Sequence, residues 1–266
     1  MGSMNSTSIV QSVNGYEPEF EGKASFSGEW VHPQFWPENL DHTDKTVVVI
    51  GSGATAMTLV PNMARRAKKV TMLQRSPTYL ISWPDKDIIA NTLNKLLPAK
   101  MAYGITRQKN IAMQQYFYWF TQRYPERSRT GLLKKVRRQL GPDYPLDPHF
   151  TPSYMPWQQR LCLCPNGDFL AALKTGTAAV VTDQIESVTR KGISLKSGET
   201  LDADIIVTAT GLNLVVFGEV EFRVDGQPVD FSKAWTYKGL AVSDVPNLFS
   251  CFGYVNASWT LRADLT

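Results

Sequence analysis

The feature that most constrains the fold is a glycine-rich turn between two apolar segments, within residues 46–76. Residues 47–50 are all apolar, which is typical of a strand buried on both faces, as in a parallel sheet. Residues 70–73 predict the next strand, and between the two the apolar side chains recur at helical spacing, at Met57, Leu59, Val60 and Met63. A strand, a helix and a strand this close together imply a right-handed parallel crossover, and therefore an α/β protein.

The turn itself has the pattern Gly51-x-Gly53-x-x-Ala56. In such a pattern the first glycine permits the tight turn, the second lets a pyrophosphate approach the backbone, and the small third residue lets helix and strand pack closely. The pyrophosphate then lies at the helix N-terminus, where unpaired N–H groups and the helix dipole favour negative charge. We therefore predict a dinucleotide site formed by Gly51, Ser52, Gly53, Ala54, Thr55 and Ala56. The alternative is a tight strand–helix turn that binds no ligand.

A second signal lies at the end of the next strand. A unit that binds NAD usually has Asp or Glu there, about 20 residues after the glycines, to hold the ribose 2′-hydroxyl. This chain has Gln74, Arg75 and Ser76 instead. An arginine with an adjacent hydroxyl suits a 2′-phosphate, so the sequence favours NADP(H) over NAD(H). The alternative is a solvated surface arginine.

The rest of the chain predicts a helical insertion followed by further strands. Helices are predicted at residues 88–97, 102–124 and 128–140, within an insertion at about 85–140, and at residues 168–173. Strands are predicted at residues 179–182, 187–189, 192–195 and 204–208, with a turn at 196–199. Residues 1–25 predict a tail or linker, residues 26–44 and 142–165 predict ordered loops, and residues 212–266 predict short strands and loops.

Composition and charge exclude several classes of protein. The net charge is only +4 and no basic run stands out, which argues against a nucleic-acid partner. No stretch approaches the roughly 18 apolar residues of a membrane span. The three cysteines, Cys162, Cys164 and Cys251, are too few for a disulfide framework and indicate reduced thiols in the cytoplasm. With three histidines in the chain, no metal site is predicted.

A third pattern, Phe26-x-Gly28-x-x-x-His32-x-x-x-Trp36, precedes the first predicted strand. On physical grounds alone it indicates a loop with one packed histidine beside aromatic side chains. At every defined position, however, it resembles the fingerprint of the Baeyer–Villiger monooxygenases, flavoproteins that use FAD, NADPH and oxygen. The resemblance extends over nearly the whole chain from about Gly15, through residues 47–79, 156–168, 204–213 and 254–265.

The resemblance implies roles for individual residues. Arg75 and Ser76 match the positions that hold the 2′-phosphate, and Arg160 matches the active-site arginine, which stabilises the anionic C4a-peroxyflavin. A structural ion pair is the alternative for Arg160, and Gln159 stands where the family often has lysine. His32 is implied to couple nucleotide binding to domain movement. The backbone of Ala209, Thr210 and Gly211 is implied to lie near both nucleotides, and residues 253–259 to return near the flavin.

Together these features predict a doubly wound, Rossmann-like NADPH-binding domain at residues 26–211, followed by part of a FAD domain at residues 212–266. The implied reaction inserts oxygen next to a small-molecule ketone or oxidises a sulfide. No second glycine fingerprint for FAD precedes Phe26, so we expect an internal fragment with an incomplete FAD site, exposed surface and possible self-association.

Three alternatives remain. The chain could be a non-catalytic NADP(H)-binding module. A short-chain dehydrogenase is disfavoured because no tyrosine has a lysine four residues on, and a thioredoxin-type flavin reductase because no Cys-x-x-Cys is present.

Overall fold

The structure is a computed structural model that describes residues 10–11, 15–213, 215–217 and 220–250. The chain divides into a larger unit, Gly15–Gly211, and a smaller unit that comprises Met1–Asn14 and Leu212–Thr266. The residues at 253–259, for which a position near the flavin was inferred, lie outside the described part of the chain. No helix among the described residues is both long enough and apolar enough to cross a membrane.

The larger unit contains most of the secondary structure. Its strands are β2 (Glu29–Val31), β3 (Thr46–Ile50), β4 (Lys69–Gln74), β5 (Tyr79–Trp83), β6 (Leu161–Pro165), β7 (Ala178–Thr182), β8 (Ile185–Thr189), β9 (Gly192–Leu195), β10 (Thr200–Asp202) and β11 (Ile205–Thr208). Its helices are α1 (Ala54–Met63), α2 (Ile88–Leu96), α3 (Ala99–Arg123), α4 (Pro125–Leu140) and α5 (Asp168–Lys174), with short 3-10 helices at Lys23–Ser25 and Pro33–Phe35.

In its described part, the smaller unit contains three antiparallel pairs of two-residue strands. They pair β1 (Val10–Gln11) with β12 (Val215–Val216), β13 (Arg223–Val224) with β14 (Gln227–Pro228), and β15 (Thr236–Tyr237) with β16 (Ala241–Val242).

A five-stranded parallel sheet in the order β2-β11-β3-β4-β7 forms the centre of the larger unit. Its two inner strands β3 and β11 are almost entirely apolar and buried because both faces of the sheet are covered. Val47 and Val49 of β3 face a core cluster that includes side chains of α1, α4 and α5. Val48 and Ile50 face a second cluster, which includes residues of the antiparallel sheet β10-β9-β8. The predicted α/β fold is thus confirmed, with strands covering the second face.

The predicted helical insertion consists of α2, α3 and α4. Asp87 caps α2, since its side chain accepts a hydrogen bond from the backbone N–H of Ala90 (3.0 Å). Pro98 separates α2 from α3, and Pro125 begins α4. Four side chains of α4 are buried: Ser128, Leu132, Val136 and Leu140. α4 therefore packs onto the unit as an ordinary amphipathic helix.

Three segments differ from the prediction. The loop predicted at residues 26–44 contains β2, which is an edge strand of the central sheet. The loop predicted at residues 142–165 ends in β6, which pairs in parallel with the unpredicted strand β5. Residues 15–25, predicted as part of a tail, belong to the larger unit, where Phe20 packs on the second cluster and the Glu21 carbonyl accepts from the N–H of Val188 (2.7 Å).

Candidate functional site

The carboxyl ends of the parallel strands bring the predicted site residues to one edge of the sheet. Ile50, the last residue of β3, is paired with Leu73 of β4 on one side and with Thr208 of β11 on the other. The glycine turn, Arg75 and Ala209 follow directly from these three strands. The chain continues from β3 to β4 in one direction and returns through β11 on the other side of β3. Ligands of open α/β sheets bind at such a reversal, outside the carboxyl ends of the strands.

Gly51 and Gly53 of the turn differ in the space around them, so glycine is needed at the two positions for different reasons. Gly51 has a φ of +124°, and a Cβ built on it would lie 2.3 Å from the carbonyl oxygen of Ala209. Its N–H donates to the Leu73 carbonyl (2.8 Å), so the turn is fixed between β4 and the end of β11. A Cβ built on Gly53 would meet no atom within 4 Å. Gly51 is therefore required by the protein's own packing, whereas the space at Gly53 is open to a ligand.

Helix α1 begins directly at this open space. Gly53 occupies the N-cap position, no side chain caps the helix, and its first turn contains no acidic residue. Ala54 and Thr55 are exposed, whereas Ala56 is fully buried against the sheet. The uncapped N–H groups of the first turn and the helix dipole can bind an anion such as a pyrophosphate.

Arg75 and Ser76 lie exposed just after β4. The Ser52 hydroxyl donates to the Ser76 carbonyl (3.3 Å) and so connects this segment to the glycine turn. Gln74 is buried, and its side-chain amide donates to the His149 carbonyl (2.8 Å) and to the Thr182 hydroxyl (2.9 Å). Arg75 forms no ion pair with the residues that the structure describes. Its backbone is thus held in place while its charge faces solvent beside the α1 N-terminus.

Arg160 is exposed and lies immediately before β6. Its carbonyl accepts hydrogen bonds from the hydroxyls of Tyr154 (2.8 Å) and Thr78 (3.1 Å). Because Tyr79 is paired with Leu161, Arg160 lies beside the segment that carries Arg75 and Ser76. The structure therefore brings the glycine turn and both arginines to the same side of the larger unit.

Cys162 lies beneath these segments. Its thiol is 3.9 Å from the Ser52 carbonyl and 3.9 Å from the Thr78 hydroxyl. Burial raises the pKa of this thiol, and it raises the pKa of Cys164 to about 11. Both side chains thus remain thiols at neutral pH, and they pack as small apolar groups.

The fingerprint residues surround the edge strand β2 on both faces of the sheet. Phe26 packs against the second core cluster, and Trp36 packs against the first. A Cβ on Gly28 would lie 2.3 Å from the Asp204 carbonyl, so the backbone approach just before β2 requires glycine. Three of the fingerprint residues therefore fix how β2 is attached to β11.

His32 follows the carboxyl end of β2. Its Nδ1 accepts from the N–H of Gln34 (3.2 Å), and its buried Nε2 has no partner among the described residues. A Cβ on Gly15 would lie 2.0 Å from the imidazole Cε1, so the ring packs directly against the backbone there. The next residue, Tyr16, bonds through its backbone to the Thr210 hydroxyl and the Gly211 carbonyl. His32 thus supports the segment that contacts the end of β11.

Sequence reasoning missed the residues that hold the two arginines. Thr78 and Tyr154 fix the carbonyl of Arg160, and His149 fixes Gln74. The contact of Gln74 with His149 and that of Thr78 with Arg160 join residues 75 and 82 positions apart, so no local pattern marks them, whereas Tyr154 is six residues from Arg160. Of these residues, Thr78 alone is close in sequence to a predicted site residue, since it lies three residues after Arg75.

Comparison with known proteins gives relatives over nearly the whole chain. Residues 46–106 match the family model of pyridine nucleotide-disulphide oxidoreductases. The chain is 53% identical to the FAD-containing monooxygenase EthA of Mycobacterium tuberculosis, over 94% of its own length and 52% of that protein. The chain spans about half the length of the curated relatives it matches.

Solved structures share the fold. A complex of OTEMO with FAD and NADP has a TM-score of 0.69 and 20% identity, covering 95% of this chain and 56% of that one. The open structure of cyclohexanone monooxygenase has a TM-score of 0.64 and 19% identity, covering 88% and 54%.

Proposed function

The chain belongs to the family of FAD-containing monooxygenases, and we propose that it binds NADP(H) for such an enzyme at the carboxyl edge of its central sheet. The observation that carries the proposal is the uncapped start of α1 beside the open space at Gly53. A pyrophosphate fits there because the backbone N–H groups of Ala54, Thr55 and Ala56 need an acceptor. Gly51 holds the turn against Ala209 and leaves this side of the helix free.

Arg75 provides the selectivity for NADP(H) over NAD(H). It is an exposed cation without an ion pair among the described residues, at the end of the strand next to the glycine turn. The Ser76 hydroxyl lies beside it as a further hydrogen-bond donor. An anionic 2′-phosphate supplies the charge partner that Arg75 lacks, whereas a 2′-hydroxyl does not.

FAD and oxygen complete the proposed reaction. The hydride-accepting and oxygen-activating chemistry would come from bound FAD. Arg160 would place a fixed cation at the reacting centre, held through its carbonyl by Tyr154 and Thr78. Ala209, Thr210 and Gly211 would contribute backbone next to the nucleotide. A ketone is the first substrate class to test, since the structural neighbour named above is a cyclohexanone monooxygenase, and a sulfide is the second.

A titration of the purified chain with NADPH and with NADH tests the cofactor site. We expect at least about tenfold tighter binding of NADPH, because a 2′-phosphate gains a charge-assisted hydrogen bond worth about 1.5–3 kcal/mol. The variant Arg75→Gln should lose this preference, while Arg65→Gln, an exposed arginine after the other end of α1, should keep it. Equal affinities of the native chain for the two cofactors would refute the role of Arg75.

Flavin absorbance and turnover test the reaction separately. A chain that retains FAD and oxidises NADPH with a ketone or a thioether is an enzyme in its own right. For such an enzyme, Arg160→Gln should lower turnover and leave NADPH affinity within about twofold. NADPH binding without flavin or turnover would instead support the non-catalytic NADP(H)-binding module.

A further inference from the structure

Helices α2 and α3 carry a large apolar surface that the rest of the described chain does not cover. α2 contains no buried residue, and only Ala102 and Thr121 are buried among the 25 residues of α3. A helix of that length is about 37 Å long. Most of the α2–α3 pair therefore faces solvent, although α4, the next helix, packs against the core.

The exposed residues of the pair are large and apolar. Ile88 and Leu96 of α2 are 74% and 73% exposed, and Met101 of α3 is 55% exposed. Along α3, exposed apolar or aromatic side chains at spacings of four, eleven and three residues lie on one face: Met101, Ile105, Tyr116 and Trp119. This apolar stripe exceeds what single scattered surface residues would give, and it marks an interaction surface.

The helical insertion is the strongly basic part of the chain. Residues 88–123, which contain α2 and α3, have five lysines and arginines and no acidic residue, and residues 88–140, which also include α4, have eleven and one acidic residue, Glu126, a net +10. The whole chain has a net charge of only +4, so the remaining residues are net negative. Such a separation of charge suits a partner with a strongly negative surface.

Side-chain contacts hold α2 against α3 and order the end of α3. Lys109 of α3 forms an ion pair with Asp87, the N-cap residue of α2. At the other end of α3, Arg123 and Arg127 lie over the ring of Tyr124, at 5.2 and 5.3 Å from its centroid. The apolar stripe and the charges around it are therefore presented on an ordered surface.

We propose that the α2–α3 pair docks on an anionic lipid surface and lies within its interface. Exposed aliphatic and aromatic side chains enter the boundary between headgroups and acyl chains, while the flanking lysines and arginines pair with lipid phosphates. The aliphatic side chains at Ile88, Leu96 and Met101 have no function in contacts with nucleic acid. A second copy of this chain would bring a second α2–α3 surface of net +5 against the first, and the repulsion disfavours that occupant.

Co-sedimentation with lipid vesicles tests this proposal. The native chain should bind vesicles that contain phosphatidylglycerol at least about tenfold more tightly than pure phosphatidylcholine vesicles, and 0.5 M NaCl should weaken the binding. The variant Ile88→Gln/Leu96→Gln/Met101→Gln removes apolar contact and keeps helix propensity, and it should bind at least about tenfold more weakly. The variant Lys95→Glu/Lys100→Glu should show a similar loss, because it replaces two attractions to the anionic headgroups by repulsions.

Matched substitutions outside the segment provide the controls. Val220→Gln/Trp235→Gln/Tyr237→Gln changes three exposed apolar residues, and Lys174→Glu/Lys191→Glu reverses two exposed charges. Both control variants should bind within about twofold of the native chain. The proposal is overturned if anionic vesicles are not bound, or if the test and control variants lose binding equally. Self-association that is abolished by the apolar test variant, without vesicle binding, would assign the surface to a second copy instead.

Discussion

The central sheet and the α2–α3 pair lie in the same unit and are built in opposite ways. In β3 every residue after Thr46 is buried, and alternate side chains contact core clusters on the two faces. In α3 two residues of 25 are buried. At the sheet edge, internal packing accounts for the position of each proposed ligand group. In the helical pair, the exposed apolar side chains have no packing role among the described residues. We therefore look for a partner outside the described chain to explain them.

Truncation of one isoleucine in each region tests this difference, and we expect it to give the largest effect. Ile206 of β11 is fully buried in the second core cluster, and Ile206→Ala should lower the free energy of unfolding by about 2–5 kcal/mol. Ile88 of α2 is mostly exposed, and Ile88→Ala should change that free energy by less than about 0.5 kcal/mol. Urea denaturation followed by circular dichroism measures both.

A loss of more than about 1.5 kcal/mol in Ile88→Ala would break the comparison. It would mean that α2 packs against part of this chain and contributes to its core. The apolar surface would then have an internal reason, and the lipid proposal would lose its main support.

The second prediction compares the two glycines of the turn. Gly51→Ala forces a side chain into a left-handed backbone conformation and against the Ala209 carbonyl, so it should destabilise the fold by about 1–3 kcal/mol. Gly53→Ala meets no neighbouring atom and should cost less than about 1 kcal/mol. The added methyl at Gly53 would nevertheless stand where the pyrophosphate approaches, and NADPH should bind at least about tenfold more weakly.

Denaturation and NADPH titration of both variants separate fold from function. If Gly53→Ala bound NADPH like the native chain, the open space there would not be the phosphate site. If Gly51→Ala were fully stable, the close approach of β11 to the turn would not constrain the fold.

The sequence predicted the central strand–helix–strand unit and the helical insertion because both carry local signals. A run of four apolar residues before Gly51 requires burial on both faces, and such a run is visible without any partner strand. The helices at residues 88–140 were predicted within a few residues of their observed ends, because turn and proline signals flank them. The glycine turn could likewise be predicted, since the strand before it and the helix after it follow directly in the sequence.

The pairing of β5 with β6 could not be predicted from the sequence. The contacts around Arg160, which lies just before β6, therefore could not be predicted either. These strands join residues 79–83 to residues 161–165, across the whole helical insertion. Neither strand has clear polar alternation, and β6 ends in Pro165, which reads as a loop. β2 was missed for a related reason: it has three residues, and its pairing with β11 spans most of the chain. Burial in these places depends on long-range contacts that a local pattern does not record.

The last and smallest effect is expected from His149, which belongs to the sheet edge through its contacts with Gln74 and Thr182. Burial lowers the pKa of this histidine below its ordinary value of 6.5, against the opposing charge of Asp147. The unfolded chain therefore takes up a proton at a higher pH than the folded chain does. The stability contributed by neutral His149 is complete above about pH 6.5 and declines as the pH falls below that value.

Replacement of the histidine isolates this contribution. His149→Gln keeps a side chain that can bond to Thr182 but cannot titrate, so its free energy of unfolding should fall less between pH 7 and pH 5 than that of the native chain. Urea denaturation at the two pH values measures the difference, which should be smaller than the effects of the substitutions above. Ile88→Ala, with its change in the α2–α3 pair, should keep the native pH dependence. Parallel pH profiles of His149→Gln and the native chain would show that this part of the sheet edge is not sensitive to protonation, because only a group whose pKa changes on folding couples stability to pH.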